Sequence, residues 1–241
     1  MKIGIIGAME EEIAYFSHLF NIEEKHTLAK TKYFEGCYGV CSVVLTKAGV
    51  GKVNAAAAAQ KMIDVFNVDV ILFTGVAGAA DPDLEIGDIV VSSTCQYHDI
   101  DASPLGFPKG IIPMFDGPSI FHADPLWRSF VTEAAREING INVKEGKVVS
   151  GEKFIADKEE VDQLRTLFEA DCVEMEGAAL AHISWMHDVP FVVIRSISDK
   201  ANGDAPKSFQ QWVYETAERS AFIVTNAIRN YMKTLPQENR S

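Results

Sequence analysis

The sequence predicts an α/β fold built as one domain, and three observations carry that expectation. Apolar runs of four to eight residues alternate with stretches of helical periodicity, the pattern of interleaved rather than segregated strands and helices. The chain has 241 residues, 47% of them hydrophobic, enough to bury one sizeable core. No linker-like composition divides it, so residues 1–235 are expected to form the domain and residues 236–241 a frayed tail.

The elements follow in order. Residues 2–7 read as a first strand and residues 10–19 as a helix. Residues 32–38 and 40–47, joined at Gly39, read as a hairpin. The Ala-rich stretch 53–66 is a helix on propensity alone, with Ile63 and Phe66 extending one apolar face. Strands are expected at 69–74 and 88–93. Between Tyr97 and Phe121 the periodicity stops, and Pro104, Pro108, Pro113 and Pro118 predict a long loop of the kind that forms lids or interface arms. Helices fit 125–139, 158–168 and 177–187, with strands at 170–175 and 190–195 around the last of these. A final helix over 209–232 places Phe209, Trp212, Val213, Thr216, Ala217, Ala221, Val224, Ala227, Ile228 and Tyr231 on one side.

Charge and composition narrow the function. A net charge of −12 without any Lys/Arg cluster argues against nucleic acid or an anionic membrane surface, leaving a small molecule as the expected partner. No stretch is long enough to span a bilayer, and Met1-Lys2 followed by a short apolar run and Glu10-Glu11-Glu12 lacks the features of a secretory signal. Cys37, Cys41, Cys95 and Cys172 sit in apolar or strand-like surroundings without paired zinc spacing, and are read as reduced core thiols of a cytoplasmic protein. The six histidines are scattered, so neither a metal nor another cofactor is expected.

Two glycine-rich stretches invite a phosphate-loop reading and do not support it. Gly49-Val50-Gly51-Lys52-Val53 lacks the earlier Gly and the Ser/Thr after Lys that a nucleotide-triphosphate loop requires. Gly4-Ile5-Ile6-Gly7 lacks the dinucleotide spacing and leads into three glutamates that would repel a pyrophosphate. Gly75-Val76-Ala77-Gly78 permits either close approach of backbone to a ligand or a tight strand-to-helix turn.

Three acids stand out because each follows a strand-like run: Glu12, Glu176 and Asp199. Ligands of open α/β sheets bind beyond the strand ends, so residues far apart in sequence converge there. Each acid also has a plainer explanation. Glu12 fits a helix first turn, Glu174 and Glu176 share a face of an extended strand, and Asp199 could cap a helix.

Taken with their neighbours, these residues resemble one family. The blocks Gly7-Ala8-Met9-Glu10-Glu11-Glu12, Gly49-Val50-Gly51-Lys52-Val53-Asn54, Thr74-Gly75-Val76-Ala77-Gly78, Ser150-Gly151-Glu152-Lys153-Phe154-Ile155, Val173-Glu174-Met175-Glu176-Gly177-Ala178 and Arg195-Ser196-Ile197-Ser198-Asp199 are similar to those of the 5′-methylthioadenosine/S-adenosylhomocysteine nucleosidases. The likeness runs through essentially the whole chain, and several blocks recur in the wider purine nucleoside phosphorylase family. It implies a single-domain, three-layer α/β/α phosphorylase-like fold around a central mixed β-sheet. It also implies hydrolysis of the adenine N-glycosidic bond of 5′-methylthioadenosine, S-adenosylhomocysteine and 5′-deoxyadenosine, as in methionine salvage.

On that resemblance Asp199 matches the acid that protonates purine N7, Glu12 the base that activates water, and Glu176 the residue that holds the ribose hydroxyls. Phe154 would stack on the purine, the Ile155 backbone would pair with its edge, and Met175 would pack on the ribose. Ser198 would orient Asp199 or the base, and Arg195 would orient Glu12 and the water. Met9, Val50 and Phe209 would line the 5′-thioalkyl pocket, with Val76 and Gly78 also against the substrate. A homodimer with a shared site is implied, Leu105, Phe107 and Pro113 reaching from the neighbouring subunit. The chain departs from many family members at Leu105, often aromatic, at Val76, sometimes Ser, and at Ala79, commonly Gly. These positions bear on the 5′ pocket and on water contacts. Three alternatives remain open at this point: an aminodeoxyfutalosine nucleosidase of menaquinone synthesis, a nucleoside phosphorylase, and a non-catalytic adenosine-binding protein on the same fold. Against the phosphorylase, the three glutamates after the first strand would repel phosphate.

Overall fold

A computed structural model describes residues 1–201 and 205–236, without the side chains of residues 206–211, 213 and 214. The strands are β1 (Lys2–Gly7), β2 (Asn21–Leu28), β3 (Thr31–Tyr38), β4 (Cys41–Lys47), β5 (Val70–Ala79), β6 (Ile89–Tyr97), β7 (Ile120–His122), β8 (Val143–Ser150), β9 (Cys172–Glu174) and β10 (Phe191–Asp199). The helices are α1 (Glu10–Ala14), α2 (Phe16–Leu19), α3 (Lys52–Asp64), α4 (Pro125–Arg136), α5 (Lys158–Phe168), α6 (Gly177–Met186) and α7 (Ala205–Thr234).

Strict alternation along the central strands makes three layers. Ile3, Ile5, Val70, Leu72, Val192 and Ile194 meet Ile13 of α1, Phe16 of α2, Trp127 and Val131 of α4, and Val224 and Ile228 of α7. The neighbours that point the other way, Ile6, Ile71, Phe73 and Val193, meet Ala55, Ala59 and Met62 of α3 and Ala178 and Leu180 of α6. Small alanines let α3 and α6 lie close to the sheet and to each other. Capping fits the sequence, since Asp124 accepts from the Trp127 N–H at 2.8 Å just before Pro125 opens α4.

The sheet is mixed and part of it closes on itself. β5 and β10 are parallel, β10 and β6 antiparallel, β6, β8 and β9 mutually parallel, and β9 returns antiparallel to β5. From this ring the sheet continues through β1, β4, β3 and β2. β5 therefore has a divided edge: Val70–Phe73 pairs with β1, while Gly78 and Ala79 pair with β9. The stretch between is open on that side, and the functional groups gather there.

Several sequence expectations need correction. The helix expected over 10–19 is interrupted at Tyr15 into α1 and α2. β2 and β8 have no counterpart in the sequence reading. Glu23-Glu24-Lys25 and Lys144-Glu145-Gly146-Lys147 mask their alternation, because these stretches expose one face. β5, β6 and β10 each run past their expected ends, so Gly75–Gly78 lies within a strand and leads into no helix. Asp199 is the last residue of β10 and not the cap of a described helix. Cys37 is only half-buried, unlike the other three cysteines. Within 98–119 the sole described regular element is one 3₁₀ turn, Ser103–Leu105. The tail expected beyond residue 235 lies almost wholly outside the described residues, as do the Phe209 and Val213 side chains.

Candidate active site

A cavity of ≈ 190 Å³ opens where β5 parts from β1 and β9. Glu12, Glu174, Glu176 and Asp199 line it together with Met9, Val50, Val76, Phe154, Ile155 and Met175. Its remaining walls are Ala8, Ala77, Gly78, Lys153, Val173 and Ser198. The four acids come from three strand ends, Glu174 and Glu176 both from that of β9, and are between 2% and 7% exposed.

Glu12 lies in the first turn of α1, and its carboxylate folds back on the chain that precedes it. Oε2 accepts from the backbone N–H of Ala8 at 2.6 Å and of Met9 at 2.9 Å. Oε1 accepts from Val76 N–H at 3.3 Å, on the stretch of β5 left without a strand partner at this edge. Burial pushes the Glu12 pKa up, against the lowering pull of Arg195 and those three N–H groups. Gly75 makes the arrangement possible, since a Cβ there would stand 2.5 Å from Arg195 Nη1 and 2.7 Å from Glu12 Oε1.

Glu176 occupies the N-cap position of α6 without capping it, and its side chain reaches across the cavity to accept from Gly51 N–H at 2.8 Å. Burial, then the neighbouring Glu174 charge, raises its pKa to about 8, with Arg195 and the Gly51 N–H opposing. Behind these acids lies Arg195, 1% exposed, with Nη2 2.5 Å from Glu174 Oε2 and 3.8 Å from Glu176 Oε2, and its guanidinium carbon 4.2 Å from the Phe73 ring centroid. Burial works against its charge, but Glu174, Glu176 and Glu12 outweigh it and hold the pKa above the ordinary value. Removing one partner of such a buried pair strands the other, at a cost of about 3–5 kcal/mol.

Asp199 is set apart from this network. Oδ2 accepts from Ser198 Oγ at 2.8 Å and Oδ1 from Ala201 N–H at 2.7 Å. Burial raises its pKa, and only those two hydrogen bonds oppose the rise. A bulge between Ile197 and Asp199 brings it level with Gly78, whose missing side chain leaves room for Oδ1.

At the mouth, three loops are laced together. Lys52 Nζ contacts both oxygens of Asp99 at 2.7 and 2.6 Å, Asp99 accepts from Glu152 N–H at 2.9 Å, and Glu152 accepts from Lys52 N–H at 2.8 Å. Phe154 and Val50 stand at this rim, about half exposed, and present apolar surface over the cavity.

The structure gathers most of the residues singled out in the sequence and leaves out a few. Arg195 lines no part of the cavity and contacts it through the carboxylates. Leu105, Phe107 and Pro113 do not line this chain's own cavity, and Leu105 is 67% exposed. Phe209 has no described side chain. The cavity and rim residues to which the sequence assigns no role are Glu174, which ends β9 two residues before the N-cap Glu176, Lys153, and the Lys52–Asp99–Glu152 lacing. Among the described residues, one set of side chains lies close enough to share a metal ion, Glu24, His26 and Glu35, and none of them lines the cavity.

Comparison with known proteins gives a consistent picture. The model of the phosphorylase superfamily matches residues 2–229. A 5′-methylthioadenosine/S-adenosylhomocysteine nucleosidase of Staphylococcus carnosus is 40% identical over 233 residues, covering 95% of this chain and 99% of the relative. A solved nucleosidase of that kind from Neisseria meningitidis, in complex with methylthio-immucillin-A, superposes with a TM-score of 0.90 at 33% identity, covering 95% and 99% of the two chains. The futalosine hydrolase of Helicobacter pylori strain 26695 superposes equally well, with a TM-score of 0.90 at 34% identity, covering 95% and 98%.

Proposed function

The chain belongs to the phosphorylase superfamily, among its 5′-methylthioadenosine/S-adenosylhomocysteine nucleosidases, and from that premise we propose that it cleaves the N-glycosidic bond of these two nucleosides with water. The products are adenine and the 5-thio-substituted ribose, and 5′-deoxyadenosine is a third expected substrate. One observation carries the reading: Glu12, Glu176 and Asp199, from three different strand ends, face a single largely apolar cavity.

The chemistry follows from what each acid has around it. Adenine leaves poorly as an anion, so the ring nitrogen must gain a proton while the ribose becomes oxocarbenium-like. Asp199 is suited to give that proton to N7, because burial without a cation keeps its carboxyl protonated to higher pH than usual. Glu12 takes a proton from the water that attacks C1′ as the C1′–N9 bond breaks. Glu176 accepts from the ribose hydroxyls and, as an anion, favours the cationic sugar. Phe154, Ile155, Met175, Met9 and Val50 line the same cavity; in this reading Phe154 and Ile155 meet the purine, Met175 the ribose, and Met9 and Val50 an apolar 5′ substituent.

A homodimer completes the proposal. The rim is open and apolar at Val50, Phe154 and the nearby exposed Val53, and the loop bears exposed Leu105 and Met114. Leu105, Phe107 and Pro113 would close the site of a second copy, as a thioether tail requires. We place residues 1–235 in one domain and the protein in the cytoplasm, where its free cysteines stay reduced. A futalosine-type nucleoside is the second reading, favoured by the likeness to the Helicobacter pylori futalosine hydrolase.

The deciding experiment is adenine release from 5′-methylthioadenosine with and without phosphate, with sugar and sugar 1-phosphate separated by chromatography. Phosphate-independent adenine with free methylthioribose is expected. A phosphate requirement would make the enzyme a phosphorylase, and no adenine from any 5′-thioadenosine would overturn the assignment.

A further inference from the structure

Glu174 lines the cavity yet has no part in the proposed reaction. Its carboxylate is among the most heavily contacted groups in the molecule. Oε1 accepts from Ser150 Oγ and, at 2.9 Å, from Gly177 N–H, while Oε2 accepts from Glu176 N–H at 3.0 Å and Gly177 N–H at 2.8 Å. Oε2 also takes Arg195 Nη2 at 2.5 Å. Ser150 Oγ in turn accepts from Ala178 N–H at 2.7 Å, so the serine and Glu174 together occupy the first N–H groups of α6.

The consequence concerns Arg195. The same guanidinium nitrogen that touches Glu174 lies 3.8 Å from Glu176 Oε2, beyond hydrogen-bond range. A buried guanidinium without a fixed counter-charge would close that gap and form a tight pair with Glu176. Glu176 would then lose an acceptor oxygen that faces the cavity. Resting on the nucleosidase reading, we propose that Glu174 is a positioning residue that holds Arg195 away from Glu176 and so keeps the Glu176 carboxylate free for the ribose hydroxyls.

The charged surroundings are few. Glu176 faces Glu174 on β9, Arg195 on β10 and Glu12 on α1. Glu174 additionally acts on His98, in the loop after β6, and on the buried thiols of Cys95 and Cys172. None of these besides Arg195 is a fixed cation, so neutralising Glu174 leaves Arg195 with Glu176 and Glu12 as its nearest anions.

Glu174→Gln tests the proposal by the pH profile of kcat/KM for adenine release. In the wild type the acid limb should follow Glu176, raised to about 8 by burial and Glu174. In the variant that limb should move down by about one pH unit or more, because a like charge is lost and a cation closes in. The plateau should fall about tenfold or more as Arg195 engages the carboxylate. Ser150→Ala leaves the Arg195 contact in place and should leave the limb unmoved. A limb unmoved in Glu174→Gln, or moved equally in Ser150→Ala, would overturn the proposal, since mere anchoring of α6 would lower activity without selecting the charge state of Glu176.

A second readout needs no Glu174 variant. In wild-type protein carrying [δ-13C]glutamate, the resonance lost in Glu176→Gln should titrate well above the ordinary carboxylate range. Titration within that range would mean that Arg195 already pairs with Glu176, which overturns the proposal even if Glu174→Gln fails to fold. Wild-type protein that releases no adenine would sink the nucleosidase reading, whereas this titration would still decide where Arg195 rests.

Discussion

The two ends of the cavity use buried carboxylates in opposite ways. At one end Glu12, Glu174 and Glu176 all lie in the field of a single guanidinium that touches Glu174, and each also accepts at least one backbone N–H. At the other, Asp199 has one hydroxyl, one N–H and no cation opposing the rise in its pKa. Burial raises Glu12, Glu176 and Asp199 alike, and what differs is the force that opposes it. A group that must deliver a proton is kept away from positive charge. Groups that must receive a proton, or stand as anions, are given positive charge in a rationed amount. A surplus cation at the Asp199 end would abolish the acid, and a missing one at the Glu end would neutralise the base.

The strongest way to break this contrast is Asp199→Asn, which keeps the shape and removes the transferable proton. We expect kcat to fall roughly 10³-fold while inhibitor binding is largely retained, measured by single-turnover adenine release and titration calorimetry. Near-normal turnover would show that the isolated end is not the acid. Gly75→Ala attacks the crowded end instead, since the new Cβ would lie 2.5 Å from Arg195 Nη1 and 2.7 Å from Glu12 Oε1. The expected loss in kcat is about 10²-fold from misplaced groups, with Asp199-dependent steps untouched. Unchanged kinetics would mean that Glu12 need not sit where it does.

How much of this contrast could be read in the sequence is itself instructive. Glu12, Glu176 and Asp199 stand out because each follows an apolar strand, and strand ends converge by topology. Glu174 does not stand out in the sequence, because a carboxylate two residues before another on an expected strand looks like a solvated face until Arg195 is seen behind it. β8 was invisible because Lys144, Glu145 and Lys147 break its apolar pattern, although Val148 and Val149 are fully buried. The closed ring was beyond reach too, since β5–β9 pairing rests on two residues of each strand and no local signal encodes it.

Leu105→Asp addresses what covers both ends. If a second subunit closes the rim, KM should rise roughly tenfold with little change in kcat, because a charge would face an apolar 5′ group. Kinetics equal to wild type would argue against a shared site. The last effect is on stability and not on turnover. Glu176 binds its proton more tightly folded, at about 8, than at its ordinary 4.5, so folding takes up a proton between those values. Below 4.5 both states are protonated and no penalty arises. As pH rises from there towards 8 the folded state loses stability, by at most about 1.4 kcal/mol per pH unit for this one proton. Glu12 and Asp199 act in the same direction. Glu176→Gln should flatten the decline in urea midpoint over that window, and an equal slope in both proteins would refute the assignment.

The pairing of β10 with β5 spans about half of the chain, and β10 supplies both Arg195 and Asp199. During synthesis, therefore, Glu12 and the divided edge of β5 are made long before the strand that completes them. A nascent chain stopped short of residue 191 would carry the base without the acid and without the cation that steadies it. Such a topology, rich in distant contacts, folds slowly and acquires its chemistry as its last act rather than by degrees.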